Sequence, residues 1–189
     1  NSGINTIAFN VGLNYNFNDK QEFIVDSLPS KDTYKERIKY NIAFRTGISE
    51  GPVPHLGQRQ FYHIGLYADK RIGRKSALQL GTDVFFSRYL QDYIEFVSVA
   101  FPESHHSYAD PDTDYKRIGL FVGHELFINK LSIEAQVGYY VYKPLDYEID
   151  LYQRIGIKYY LYKNIFTGVG LKTHGGRAEA IEATVGIRL

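Results

Sequence analysis

The sequence predicts an all-β fold, an antiparallel transmembrane β-barrel, on three observations. Apolar and polar residues alternate with period two through most of the chain. Several of these runs are longer than the strands of soluble proteins and reach the length a tilted membrane strand needs. The connections between them switch between tight turns and long polar loops, as in outer-membrane barrels.

Nine strands follow, at about 4–17, 36–49, 58–72, 76–101, 114–129, 131–143, 147–162, 165–174 and 178–189. In 36–49, Ile38, Tyr40, Ile42, Phe44 and Ile48 share one parity, while Arg37, Lys39, Asn41 and Arg45 take the other. In 114–129, Ile118, Leu120, Val122, Leu126 and Ile128 alternate with Arg117, Gly119, Gly123 and Glu125. Leu131, Ile133, Ala135, Val137, Tyr139 and Val141 alternate with Ser132, Glu134, Gln136 and Gly138. Ile149, Leu151, Ile155, Ile157, Tyr159 and Leu161 alternate with Asp150, Arg154 and Lys158. One face of each strand is oily, and no amphipathic helix is apparent to cover it. The competing architecture is a soluble lipocalin-like barrel or sandwich, with the oily face turned inward. The tyrosines at strand ends (Tyr139, Tyr140, Tyr142, Tyr159, Tyr160, Tyr162) favour the membrane, because amphipathic rings collect at the lipid–water boundary.

Asn129–Lys130, Lys163–Asn164 and Gly73–Lys75 are short turns; Ser49–Gly57 and Pro102–Thr113 are long and polar. Short turns face the periplasm in such barrels, so the long loops, the 143–147 turn and His174–Arg177 are expected outside. Because bacterial single-chain barrels have even strand numbers, nine strands predict a larger barrel and at least one strand before Asn1. Residues 1–17 then form the terminal strand of a preceding barrel module, 18–35 a connecting segment, and 36–189 an eight-strand antiparallel barrel segment.

Composition narrows the function. With 22 basic and 21 acidic residues in 189, a net charge of +1 gives no nucleic-acid partner. The absence of cysteine excludes disulfides and thiolate metal sites. No apolar run approaches the roughly 20 residues of a membrane helix. The mean hydropathy of −0.30 resembles that of a water-soluble protein. Alternating barrel strands average to such values. His105, His106, Asp110, Asp112 and Asp114 could meet a divalent cation, but adjacent loop carboxylates are usually solvated, so no metal or other cofactor is expected. His63 and His124 stand singly on opposite strand faces, and Glu95 reads as structural. Inward charges of both signs (Arg37, Lys39, Arg45, Asp83, Arg88, Arg117, Glu125, Glu134, Asp150, Arg154, Lys158) predict a plugged interior.

Ile7-Ala-Phe-Asn-Val-Gly-Leu-Asn-Tyr15 aligns without gaps with Ile181-Glu-Ala-Thr-Val-Gly-Ile-Arg-Leu189. This is either a shared response to lipid or the echo of two modules. The first copy, preceded by Asn1-Ser-Gly-Ile-Asn5, resembles the tail of the PagL-like lipid A 3-O-deacylases, also called acyloxyacyl hydrolases. That resemblance covers roughly residues 1–17 and, more weakly, the last 20. It implies an outer-membrane barrel whose serine esterase removes an acyl chain from lipid A. In that family a His-x-Ser-Asn motif precedes the terminal strand, separated by an Asn-x-Gly-x-Glu-like segment. No His-x-Ser pair stands before Asn5 here, and Asn5 occupies the acidic position, where an amide cannot balance an imidazolium.

In Lys172-Thr-His-Gly-Gly-Arg-Ala-Glu179, His174 matches the family's catalytic histidine and Glu179 the acidic position, but Gly176 replaces the serine. Thr173 points to the opposite face of the strand. His174, Glu179 and Asn5 are therefore the candidate catalytic residues. Lys172 and Arg177 are the candidate substrate-binding residues, facing lipid A phosphates. The expected function is ester hydrolysis of lipid A acyl chains in the bacterial outer membrane, by a serine outside this sequence. The alternative is a non-enzymatic structural or partner-binding barrel. Expected partners are lipid A or lipopolysaccharide, and other outer-membrane proteins.

Overall fold

A computed structural model describes residues 36–189 other than Pro52, Ser107 and Tyr147. Eight strands run β1 (Lys39–Glu50), β2 (Gln58–Arg71), β3 (Ser76–Ser87), β4 (Arg117–Ile128), β5 (Leu131–Tyr142), β6 (Leu151–Tyr162), β7 (Ile165–His174) and β8 (Arg177–Arg188). Each pairs antiparallel with its chain neighbours, and β8 returns to β1 through pairs such as Ile42–Ile187 and Phe44–Val185, closing the barrel. The larger barrel inferred from nine strands is corrected. Among the described residues, eight strands close on themselves, because β1 and β8 satisfy each other's edge hydrogen bonds. The segment 4–17 and the connection 18–35 lie outside the described residues.

The alternation read from the sequence becomes two surfaces. Leu80 (64% exposed) and Val122 (60%) face outward beside Ile42, Leu120, Ile133, Ile157 and Val185. That is a continuous apolar band around a barrel with a polar interior. An eight-stranded barrel is only wide enough for side chains to fill, and here they do. Arg154 bonds Asp83 (2.8 Å), Glu182 (2.5 Å) and Gln136 (2.7 Å). Arg45 meets Asp83 at 3.0 Å, and Lys158 lies 3.0 Å from Glu125 and 2.6 Å from Glu134. Such groups are tolerated in a membrane barrel because each buried charge has a counter-charge and hydrogen bonds. His63 is inside as well, 2.7 Å from Glu182 and ringed by Phe61 and Phe85. His124 faces outward against Ser76.

Not every expected position holds. Arg37, Arg88 and Asp150 are exposed rather than luminal, since each lies at or beyond a strand end where parity no longer points inward. Tyr139, Tyr142, Tyr159 and Tyr162 are outward at the barrel ends, whereas Tyr140 is buried in the lumen and Tyr160 packs on the interior cluster. Neighbouring tyrosines occupy opposite faces of a strand. The predicted strand 76–101 is corrected to β3 followed by helix α1 (Arg88–Ala100), with Glu95 exposed on the helix. After Ser87 the period changes: Leu90, Ile94 and Val97 are buried at i, i+4, i+7.

The inner wall depends on missing side chains. The Tyr152 ring, wholly buried, lies over Gly119 and Gly138, and a methyl group at Gly138 would sit 2.1 Å from it. Gly138→Ala is expected to destabilise the barrel by about 1–3 kcal/mol through overpacking, measured as a lower denaturant midpoint by circular dichroism.

Candidate functional site

Strand direction sets which end carries the chemistry. The connections β2–β3, β4–β5 and β6–β7 are short; β1–β2, β3–β4 and β5–β6 are long and lie at the other end, with the two-residue β7–β8 turn. By the rule for such barrels the long-loop end is external. There α1 packs Ile94 and Val97 against Ala109, with Tyr93, Phe101, Tyr115 and Leu145 around them. Loops from β3–β4 and β5–β6 are thereby joined into a wall. The Tyr89 hydroxyl accepts the Val53 N–H at 3.2 Å and ties the β1–β2 loop to the same wall. This wall encloses a cup of about 740 Å³ whose lining includes Tyr93, Ala109, Leu145, Glu148, His174 and Glu179.

The sequence-predicted pair does meet at this cup. His174, at the end of β7, places Nδ1 3.5 Å from Glu179 Oε2, contributed by β8. Its ring is almost wholly enclosed, with 8% of the side chain exposed. Nε2 lies 2.9 Å from the Tyr140 hydroxyl and 3.4 Å from Glu148 Oε1, and the two rings stack. Tyr140, Arg117 and Glu148 were missed in the sequence. Inward parity near the long-loop ends of β4 and β5 marks the first two, whereas Glu148 lies in an irregular loop with no periodic signal.

Lys172 determines what the site can do. It is fully buried, so the expected contact with lipid A phosphates is corrected: two residues before the hairpin, it shares the inward parity of His174. Its ammonium donates to the Tyr140 oxygen (2.7 Å) and to Glu179. An ammonium has only donors, so Tyr140 accepts from Lys172, and its own proton is available to donate to His174 Nε2 in the Nδ1–H tautomer. Nδ1–H then faces Glu179. In that tautomer the four side chains form a ring of contacts that uses the imidazole lone pair internally. Arg117 donates to Glu179 at 2.9 Å and also contacts Glu148. Of the other expected site residues, Arg177 is exposed at the turn, Thr173 faces outward and bonds Gln153 (3.0 Å), and Asn5 lies outside the described residues.

Among the described residues, the hydroxyl opposite His174 is that of Tyr140, and no serine or threonine is hydrogen-bonded to the imidazole. Gly175 (φ 55°) and Gly176 (φ 85°) make the two-residue turn between β7 and β8, both in the left-handed region that suits such hairpins. Gly176, expected from the sequence at the position of the family serine, is thus a turn apex rather than a strand residue.

Glu148, His174 and Glu179 have ligand-type atoms within 4.8 Å of one another, a spacing a cation could use. Arg117 and Lys172 already neutralise the two carboxylates, so the donor set does not fit a divalent ion. The loop candidates are also engaged. His105 stacks on Phe101, and Asp110 accepts the Asp112 N–H. The Asp114 carboxyl is held below its usual range, chiefly by the Lys116 backbone N–H, and also accepts from the Tyr142 hydroxyl.

Comparison with known proteins adds the following. Among solved structures, Neisserial surface protein A (NspA) is similar over 82% of this chain and 99% of its own, with 14% identity and a TM-score of 0.45. A triple mutant of a Rh. blastica porin is similar over 81% of this chain and 100% of its own, with 6% identity and a TM-score of 0.31. No curated protein matches the chain. Residues 38–189 match the family described as acyloxyacyl hydrolase, C-terminal domain. The match takes in the whole barrel, and the chain belongs to that family of outer-membrane-type β-barrels.

Proposed function

We propose that this barrel is a non-hydrolytic outer-membrane component, seated among lipid A molecules, that keeps the acyloxyacyl-hydrolase architecture without running a serine esterase mechanism from the described residues. The observation that carries this is the closed ring of Lys172, Tyr140, His174 and Glu179. A general base must have its lone pair directed at the proton it removes, and that of His174 is directed at Tyr140. The outward apolar band supplies the contact with lipid A acyl chains, and other outer-membrane proteins are the further class of partner.

A second reading, ester hydrolysis of lipid A acyl chains, is favoured by the meeting of His174 and Glu179 at an external cup. It requires a nucleophilic hydroxyl from outside the described residues, with His174 as base and Glu179 orienting it. Mass spectrometry of lipid A from cells carrying the wild-type protein or His174→Ala separates the two. The same acylation pattern in both is expected. A deacylated species present with the wild type and lost with the variant would sink the non-hydrolytic reading.

A further inference from the structure

The two ends of the barrel carry different charge. At the short-turn end Arg37, Lys70, Arg74, Lys75, Lys130 and Lys163 are exposed. None of them has an ion pair among the described residues, where the contacts of that end run instead from Arg71 to Glu36 (3.5 Å) and from Arg188 to Glu36 (3.3 Å) and Asp69 (2.7 Å). Among the described residues, Glu36 and Asp69 are therefore engaged by arginines that point into the barrel mouth, and the exposed cations outside them have no carboxylate partner.

A shaped recess lies within this basic rim. It holds about 390 Å³, and among the described residues its lining includes Arg71, Lys130, Lys163 and Arg188 but no carboxylate. Arg71 is stacked on Phe127 at 3.3 Å from the ring centroid, which fixes the guanidinium on an aromatic floor. Lys130 and Lys163 sit on two adjacent short-turn hairpins. The bond from Tyr160 N–H to the Lys130 carbonyl (2.8 Å) holds the Lys130 turn against β6. Outward-facing Tyr40, Tyr159 and Tyr162 ring the same end, and tyrosines of this kind lie at the headgroup level of a bilayer. The recess and its lysines are thus at the depth where lipid phosphates are found.

We propose that the short-turn end binds anionic phospholipid headgroups, with the phosphodiester seated in the recess between Lys130 and Lys163 and the rim cations Arg74 and Lys75 adding attraction. The driving force is charge complementarity at a surface, where each basic residue near an anionic leaflet favours binding roughly fivefold. A zwitterionic headgroup gains little of it.

Native mass spectrometry tests the site, using the full chain in micelles with equal amounts of phosphatidylglycerol and phosphatidylcholine. Wild type is expected to retain phosphatidylglycerol preferentially, and Lys130→Gln with Lys163→Gln to lose about tenfold of that preference, each lysine contributing a factor of roughly five at most. Lys116→Gln, at the opposite end, is expected to change nothing. Equal retention of the two lipids by wild type, or an undiminished preference in the double variant, overturns the proposal. Displacement of the lipid by an equal concentration of inorganic phosphate also overturns it, because the site would then take soluble phosphate. Should the double variant fail to fold, raising salt on the wild type gives the same decision: the preference must fall as charges are screened.

Discussion

Replacing Arg154 by Met is expected to cost the barrel about 3–5 kcal/mol, the range for removing one partner from a buried charge network. Arg154 joins Asp83 and Glu182, which are otherwise linked only to separate neighbours: Asp83 to Arg45 and Tyr152, Glu182 to His63. Without the guanidinium, Glu182 keeps a histidine in place of a fixed cation, and the Gln136 carbonyl loses its donor. Met is similar in length but offers no donors. Arg59→Met is the comparison: its pair with Asp92 is 44% and 32% exposed, and its loss is expected to stay within about 1 kcal/mol. The chain has no tryptophan, so unfolding is best followed by far-ultraviolet circular dichroism and by heat-modifiable gel mobility. Equal losses for the two variants would mean that the interior network is not what holds the barrel shut.

The second large effect concerns the opposite surface. Val122, midway along β4 and paired with Leu80 of β3, is expected to tolerate arginine poorly. Val122→Arg should cost about 2–4 kcal/mol in a bilayer, while Ile128→Lys, at the short-turn end of the same strand, should cost about 0–1 kcal/mol. The difference measures depth in hydrocarbon, because both residues face outward and are similarly exposed (60% and 49%). A barrel surrounded by water would show neither cost nor any dependence on depth. The comparison needs refolding into lipid vesicles and denaturant titration of each variant.

The barrel was legible in the sequence because lipid and lumen act on alternate residues. Ile133 and Glu134 differ by one position and by the whole environment, and that contrast repeats along every strand. Turn chemistry marked the ends, with Asn129 (φ 58°) taking the left-handed conformation that asparagine tolerates. The helix after Ser87 was hidden by its junction. Phe85, Ser87 and Tyr89 continue the two-residue rhythm across the boundary, and only the later spacing of Leu90, Ile94 and Val97 breaks it. At the site, sequence similarity brought out His174 and Glu179, and the fold placed them together. It could not show that Lys172 and Tyr140 would engage them, since that depends on the register of β5 through β8 around the lumen. Lys172 was read as a surface cation from its place near a loop, yet it falls two positions inside the last inward residue of β7.

The Gly175–Gly176 turn limits how chemistry could enter this barrel. A Cβ at position 176 would have no heavy atom within 4 Å, His174 included. At φ 85° a serine there would also sit in a conformation costing roughly 1–2 kcal/mol. Point substitution therefore puts a hydroxyl at the hairpin tip, away from the imidazole. Acquiring a nucleophile in this hairpin requires added backbone, extending β7 beyond its present end so that the residue two after the histidine again lies on the inner face.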